Sequence, residues 1–454
     1  MRRSAVAVIA AALGLALGAG SARAAAPRTP IHHFITLMQE NHTFDNYFGT
    51  YPGVDGIPPG ACVPIDPRKG RKPCFKPFHI GSNSIAPRDL DHSAATARLQ
   101  YNGGRMDGFI SSLRRRNQDG RLAMGYRNGD DLPFYWNLAD DYVLYDRFFS
   151  SAFGGSYLNH VFWASASPGP QGADRVPPEG LGNLPTIFDR LQKAHVSWKF
   201  YVQNYDPRLN YRTFDSGRFP GNRASQVIWV PVLNFARYID NPAIMRHVVP
   251  LRDYFKDLDN GRLPEVSYIV PSGPSEHPPS NLASGQAFVR GLINSLMDSE
   301  EWRSSAFLLA YDDWGGWYDH VKPPQLPLSV GEGYGYGFRV PALLVSPYAR
   351  QGYIDSTTLD FTSILRFIED NWGLRPLTRR DATAKSIAGG FDFKAAPRPA
   401  SFVSAHRGPA EEEARVVRSR VYLLYLGALG LPVMIVISAV VARMRRRRSG
   451  EVLS

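Results

Sequence analysis

Six short runs in this chain are almost continuously apolar: residues 34–38, 142–145, 198–202, 266–270, 306–310 and 341–345. Each is too short for a core helix, and none alternates as a half-exposed strand does. The pattern predicts strands covered on both faces. Between them, residues 184–194, 286–297 and 362–371 carry apolar positions at helical spacing. Strands interspersed with helices predict an α/β fold, a three-layer α/β/α sandwich with a mainly parallel central sheet.

Two longer apolar stretches lie at the chain ends. Arg2 and Arg3 precede an uncharged run over residues 5–19, and Ala22-Arg23-Ala24 follows with small residues. This is the layout of a secretory signal peptide spanning 1–24. Residues 421–442 contain 22 positions without a charge, roughly 33 Å as a helix and enough to cross a bilayer. Arg443 and Arg445 to Arg448 come next, which predicts a basic cytoplasmic tail over 443–454. The expected organisation is therefore a catalytic domain over 25–395, a Pro- and Glu-containing linker over 396–420, and one C-terminal transmembrane helix. The domain is expected outside the cell membrane, tethered to it as a single-pass protein.

Charge changes this picture little. Of the net +11, the signal segment carries +3 and residues 410–454 carry +4, leaving +4 for residues 25–409. That is ordinary for a domain of this size, and no nucleic-acid partner is inferred. The two cysteines, Cys62 and Cys74, lie close together in a segment rich in Pro, Gly and Lys. In an oxidising compartment they are expected to form a local disulfide.

The chemistry-bearing residues cluster where strands end. Glu40-Asn41 follows the first run, Gly154-Gly155-Ser156 the second, Glu276-His277 the fourth, and Asp312-Asp313 the fifth. Ligands of open α/β sheets gather at the carboxyl ends of strands. Ser156 follows two glycines and opens a plausible helix, so it reads either as a helix cap or as a nucleophile toward an anionic group. Glu40, Asn41, Asp312 and Asp313 are hard oxygen donors suited to a divalent metal ion, whose identity stays open. His92, His277 and His320 could each bind phosphate or metal, or protonate a leaving oxygen.

Several motifs in order extend this reading. Ile31-His32-His33-Phe34-Ile35-Thr36-Leu37-Met38-Gln39-Glu40-Asn41 opens the series. Asp91-His92-Ser93, Gly154-Gly155-Ser156-Tyr157-Leu158-Asn159-His160, Ser275-Glu276-His277-Pro278 and Tyr311-Asp312-Asp313-Trp314-Gly315-Gly316-Trp317 follow. Together they resemble the bacterial phosphoesterase family, which contains phospholipases C and acid phosphatases. The resemblance implies an alkaline-phosphatase-like fold, Ser156 as nucleophile, and Glu40, Asn41, Asp312 and Asp313 as metal ligands. It also implies a phosphate site formed by His92, Asn159 and His277, with His160 and His320 as further substrate contacts. Three places depart from the family pattern: Phe361 and His160 replace a usual His and Arg, and Asp313-Trp314 stands where a Glu-His pair is usual.

The expected activity is metal-dependent hydrolysis of a phosphoric ester through a phosphoseryl intermediate, on a phospholipid or a small phosphoester. Alternatives are an acid phosphatase acting on monoesters and a catalytically decayed surface binding protein. A serine esterase is disfavoured, because no G-x-S-x-G elbow surrounds Ser156.

Overall fold

Apolar segments with buried positions at every residue need neighbours on both faces, and the chain supplies them with one large sheet. The structure, a computed structural model, describes residues 25–407 apart from 82–88, 170–171, 173–174, 215–221, 273–274, 280 and 332–333. Eight strands pair into this sheet: β1 His33–Gln39, β2 Val143–Tyr145, β3 Trp198–Val202, β4 Val248–Pro250, β5 Val266–Val270, β6 Ser305–Tyr311, β7 Ala342–Val345 and β8 Tyr353–Asp355. Their order is β8-β2-β7-β6-β1-β5-β3-β4. All neighbours run parallel except β7, which is antiparallel to both β6 and β2. Two reversals restore direction, so β2 points the same way as β6, β1 and β5.

The pleat sends alternate side chains to opposite faces, and each face has its own helices. On one face Phe34 of β1 packs on Phe367, ring centroids 5.0 Å apart, from the helix Phe361–Trp372. Here α1 is Phe44–Phe48, α2 Ser156–Ser165, α3 Ile187–Lys193, α4 Arg252–Asp259, α5 Leu282–Met297 and α6 Phe361–Trp372. On that same face Trp163 of α2 donates to Thr36 Oγ1 at 3.2 Å, and Phe188 of α3 packs on Tyr268 and Phe200. On the opposite face Tyr201 of β3 donates to Asp257 of α4 at 2.7 Å. Tyr254 of α4 in turn reaches the Leu292 carbonyl of α5. The sheet is thus covered by helices on both sides.

The edge strands β4 and β8 have three residues each, too few to show periodicity in the sequence. Cys62 and Cys74 are joined by a disulfide, Cα atoms 5.5 Å apart, which closes a small hairpin of Val63–Pro64 on Cys74–Phe75.

The expected transmembrane helix finds no support in the described residues. Among the described residues no helix is long and apolar enough to cross a membrane, and residues 421–442 lie outside them, as does the signal segment 1–24. The expected single-pass localisation at the cell membrane is likewise not supported by the described residues. Hydropathy over 22 residues supplies a sufficient length, but by itself it sets no conformation. Of the expected linker, residues 396–407 contain no helix or strand.

Candidate active site

Because β2, β6, β1 and β5 point the same way, the segments leaving them meet at one edge. Glu40 and Asn41 leave β1, and Asp312 and Asp313 leave β6, its parallel neighbour. The Asn41 amide donates to Asp312 Oδ1 at 3.0 Å, and the Asp313 amide donates to the same oxygen at 2.7 Å. Asn41 holds a positive φ of 65°, which lets the chain turn sharply after the strand. Gly315 has φ +57°, and a Cβ there would lie 2.2 Å from the Asn41 carbonyl oxygen. Only glycine lets the two loops touch at this point.

Ser156 opens α2, with Gly155 as the cap residue. The helix-cap reading is therefore excluded, since Gly155 holds that position, and the Ser156 hydroxyl donates to Glu40 Oε2 at 3.1 Å. Glu40 Oε1 lies 3.2 Å from His160 Nε2. Glu40, His160 and Asp312 offer donor atoms within 4.8 Å of one another, all buried.

This cluster fits a cation. Burial, then Asp312 and Asp313, push the Glu40 carboxyl well above the usual carboxylate range, because like charges crowd a site without water. Among the described residues, both polar atoms of the buried Asn41 side chain and Asp312 Oδ2 have no hydrogen-bond partner. Unsatisfied buried oxygens are costly in a packed core and serve as ligands for a positive ion. Burial lowers His160 to about 4, so its ring is neutral near pH 7 and can contribute a nitrogen lone pair.

A cleft of about 550 Å³ opens beside Ser156, lined by His92, His277, Asp89, Tyr157, Trp229, Phe214 and Arg175 among others. The rings of His92 and His277 lie 5.9 Å apart, edge to face. Each rests its Nδ1 on a nearby carbonyl, Leu90 at 2.7 Å and Pro278 at 2.8 Å. Burial works against charging His92, but Asp313 and Asp89 outweigh it and hold the ring well above its ordinary value.

Two expected substrate contacts lie elsewhere. Asn159 is fully buried: its Oδ1 accepts from the Ser151 and Ala152 amides, and its Nδ2 donates to Gly154 and Gly155. It shapes the loop before Ser156 and does not line the cleft. His320 bonds Asp45 at 2.7 Å and Asp55 at 3.2 Å, in a network with the buried Arg339 and Asp319. That network borders a different cleft, beside the disulfide hairpin. The departures are likewise explained by packing. Trp314 is buried against Phe338 with its indole N–H on Gln100, and Phe361 packs on Phe148 in the core.

Residues 31–375 match the phosphoesterase family. Phospholipase C A of Mycobacterium tuberculosis is 30% identical, covering 81% of this chain and 78% of that protein. The chain belongs to the phosphoesterase family. A non-hemolytic phospholipase C of Pseudomonas aeruginosa is 28% identical over 76% of this phosphoesterase and 54% of its own length. A phosphonate monoester hydrolase of Agrobacterium radiobacter aligns with a TM-score of 0.39 at 10% identity, covering 84% of this chain and 82% of that one, a likeness too loose to specify a site. As a member of this family, the protein is a hydrolase acting on phosphoric ester bonds.

Reading single motifs gave no role to the residues behind the site. Glu276 accepts from three tyrosines, Tyr47, Tyr135 and Tyr311. Asp360 and Arg380 pair at 2.7 Å, and Arg380 donates to the Ser151 carbonyl. Glu276 and Tyr311 stand inside quoted motifs and were visible there. Asp360 and Arg380 had no local signal.

Proposed function

We propose that this phosphoesterase cleaves phospholipid phosphodiesters in the manner of a phospholipase C, through a phosphoseryl intermediate on Ser156. Glu40, Asn41, Asp312 and Asp313 would hold a divalent cation, with His160 at its border. When bound, that cation would lower the pKa of the Ser156 hydroxyl and offset charge on the phosphoryl oxygens. The observation that carries this reading is the Ser156 hydroxyl on Glu40, 3.1 Å away, at the start of a helix that favours an anion.

In the first step Ser156 Oγ bonds to phosphorus as the bond to the alcohol leaving group breaks. The serine proton passes to Glu40 Oε2, already its hydrogen-bond acceptor. His277 gives a proton to the departing alcohol oxygen, and His92, whose proton affinity the nearby aspartates raise, faces the phosphoryl charge. Water then displaces serine from phosphorus and releases the phosphorylated head group. The cleft volume and the aromatic walls of Tyr157, Phe214 and Trp229 support a substrate larger than inorganic phosphate. The relatives named as phospholipases C support a lipid one.

The test compares p-nitrophenyl phosphate, p-nitrophenylphosphorylcholine and phosphatidylcholine vesicles, with and without chelator, in the wild-type and Ser156→Ala proteins. Expected is chelator-sensitive hydrolysis of both diesters with diacylglycerol among the vesicle products, lost in Ser156→Ala by at least roughly a thousandfold. Preference for the monoester would replace the diester reading with a phosphatase. Full activity in Ser156→Ala would remove the nucleophile.

A further inference from the structure

Glu276 precedes His277 yet does not line the cleft; it is 1% exposed. Its carboxylate accepts hydrogen bonds from the hydroxyls of Tyr47 on α1, Tyr135 on the helix Pro133–Asp141, and Tyr311 at the end of β6. Three phenols from three separate elements thus converge on one acceptor. A carboxylate has room for them, because it offers only lone pairs and no competing donor.

The backbone around it is equally tied. The Glu276 carbonyl lies 3.3 Å from His42 Nε2, and the Glu40 amide donates to the Ser275 carbonyl at 3.1 Å. Glu276 itself holds a positive φ of 65°, a conformation that non-glycine residues keep only where the surroundings impose it. Gly285 of α5 packs so closely that a Cβ there would lie 2.2 Å from the Glu276 carboxylate. The residue therefore joins three parts of the site: the Glu40 loop through Ser275, the Asp312 loop through Tyr311, and His277 through the chain itself.

We infer that Glu276 is a positioning residue, which through its tyrosine cage holds the His277 imidazole in place in the cleft that Ser156 also lines. It touches neither substrate nor reacting atoms. This inference rests on the reading in which His277 protonates the leaving alcohol. A displacement of His277 by an ångström weakens proton transfer in the transition state while leaving ground-state binding to the other walls of the cleft. Loss of the cage is therefore felt in kcat more than in KM.

The test measures kcat and KM with p-nitrophenylphosphorylcholine for the full-length wild type, Glu276→Gln, Tyr135→Phe, His277→Ala and the double variant Glu276→Gln with His277→Ala. Glu276→Gln is expected to lower kcat roughly 10- to 100-fold with KM within about threefold of wild type. Tyr135→Phe, which keeps the ring and removes one donor, is expected to lower kcat less and in the same pattern. In the His277→Ala background, Glu276→Gln is expected to add under about twofold, because the imidazole through which it acts is gone.

Losses that multiply in full in the double variant would overturn the inference, since a merely structural defect is indifferent to His277. Both single cage variants within twofold of wild type would overturn it as well. If Glu276→Gln shows no cooperative melting transition, Tyr135→Phe alone and combined with His277→Ala decides by the same criteria. Failure of the underlying reading would look different: Ser156→Ala or His277→Ala would then retain wild-type kcat.

Discussion

Asn41 carries two buried polar atoms that no described group satisfies, and its neighbour Asp312 has one such oxygen. Beside them Glu40 is pushed up by burial and by two aspartates. Without a cation, removing one of these charges relieves repulsion; with a cation, it removes a ligand. Asp312→Asn is therefore expected to raise the melting temperature in chelator and to weaken Mg²⁺ or Mn²⁺ binding by at least about tenfold. Calorimetric titration together with melts in both conditions checks both halves. A variant that melts below wild type in chelator would count against charge crowding.

A second residue gives a pH prediction remote from the site. Burial, then Asp381, raise the Glu369 carboxyl to about 10. The folded state thus binds its proton more tightly than the unfolded chain, where the group titrates near 4.5. The stabilisation is fully present below that pH and is lost as pH rises toward 10. Glu369→Gln cannot ionise, so its melting temperature relative to wild type is expected to climb between pH 6 and pH 9. A constant difference over that range would show that Glu369 titrates normally.

At the scale of elements, the helix bearing Ser156 is aimed by parts far along the chain. Asp360 caps α6, accepts from the Ser151 hydroxyl and pairs with Arg380, which also holds the Ser151 carbonyl. All three are buried. Asp360→Ala removes the cap and leaves the Arg380 charge without its partner, an expected loss of about 3–5 kcal/mol in urea unfolding. Gly315→Ala acts on the opposing loop. With φ +57° and a Cβ 2.2 Å from the Asn41 carbonyl oxygen, it is expected to cost at least about 1 kcal/mol and to impair metal binding more than overall stability. Urea unfolding and metal titration of the same protein separate the two effects.

Across the whole molecule, the carboxylate cluster exists only because β1 lies beside β6. Glu40 and Asp312 are 272 positions apart, and an unfolded chain presents no such site. Binding to the folded state alone is expected to stabilise the entire unit, by about 2.7 kcal/mol at a free-metal concentration 100 times Kd. Chelation should therefore lower the melting temperature of the wild type and lower that of an Asp312→Asn protein by about half as much or less. Equal shifts in both would place the responsive ion elsewhere.

Some of this was readable from local pattern. Strands at Trp198–Val202 and Val266–Val270 stood out because a segment buried on both faces must be apolar at every position. Polar residues that immediately ended such runs, Glu40 and Asp312 among them, marked the functional edge. Glycines before Ser156 marked the start of its helix, where Gly155 is the cap residue. The three-residue strands β4 and β8 were too short to leave a periodic trace. The membrane expectation came from hydropathy and flanking arginines, which report transfer free energy and orientation and carry no information on partners or conformation.

What the sequence by itself determined was the set of buried strands and the polar residues that follow them, since both are consequences of local solvation. Tertiary structure alone decided which of those residues meet. It brought His160 to Glu40, turned Asn159 inward to its own loop, carried His320 to Asp45 and Arg339, and gathered three tyrosines on Glu276. Such pairings depend on strand order and helix packing, which are chosen by burial of whole apolar faces across hundreds of residues and not by any short stretch of chain.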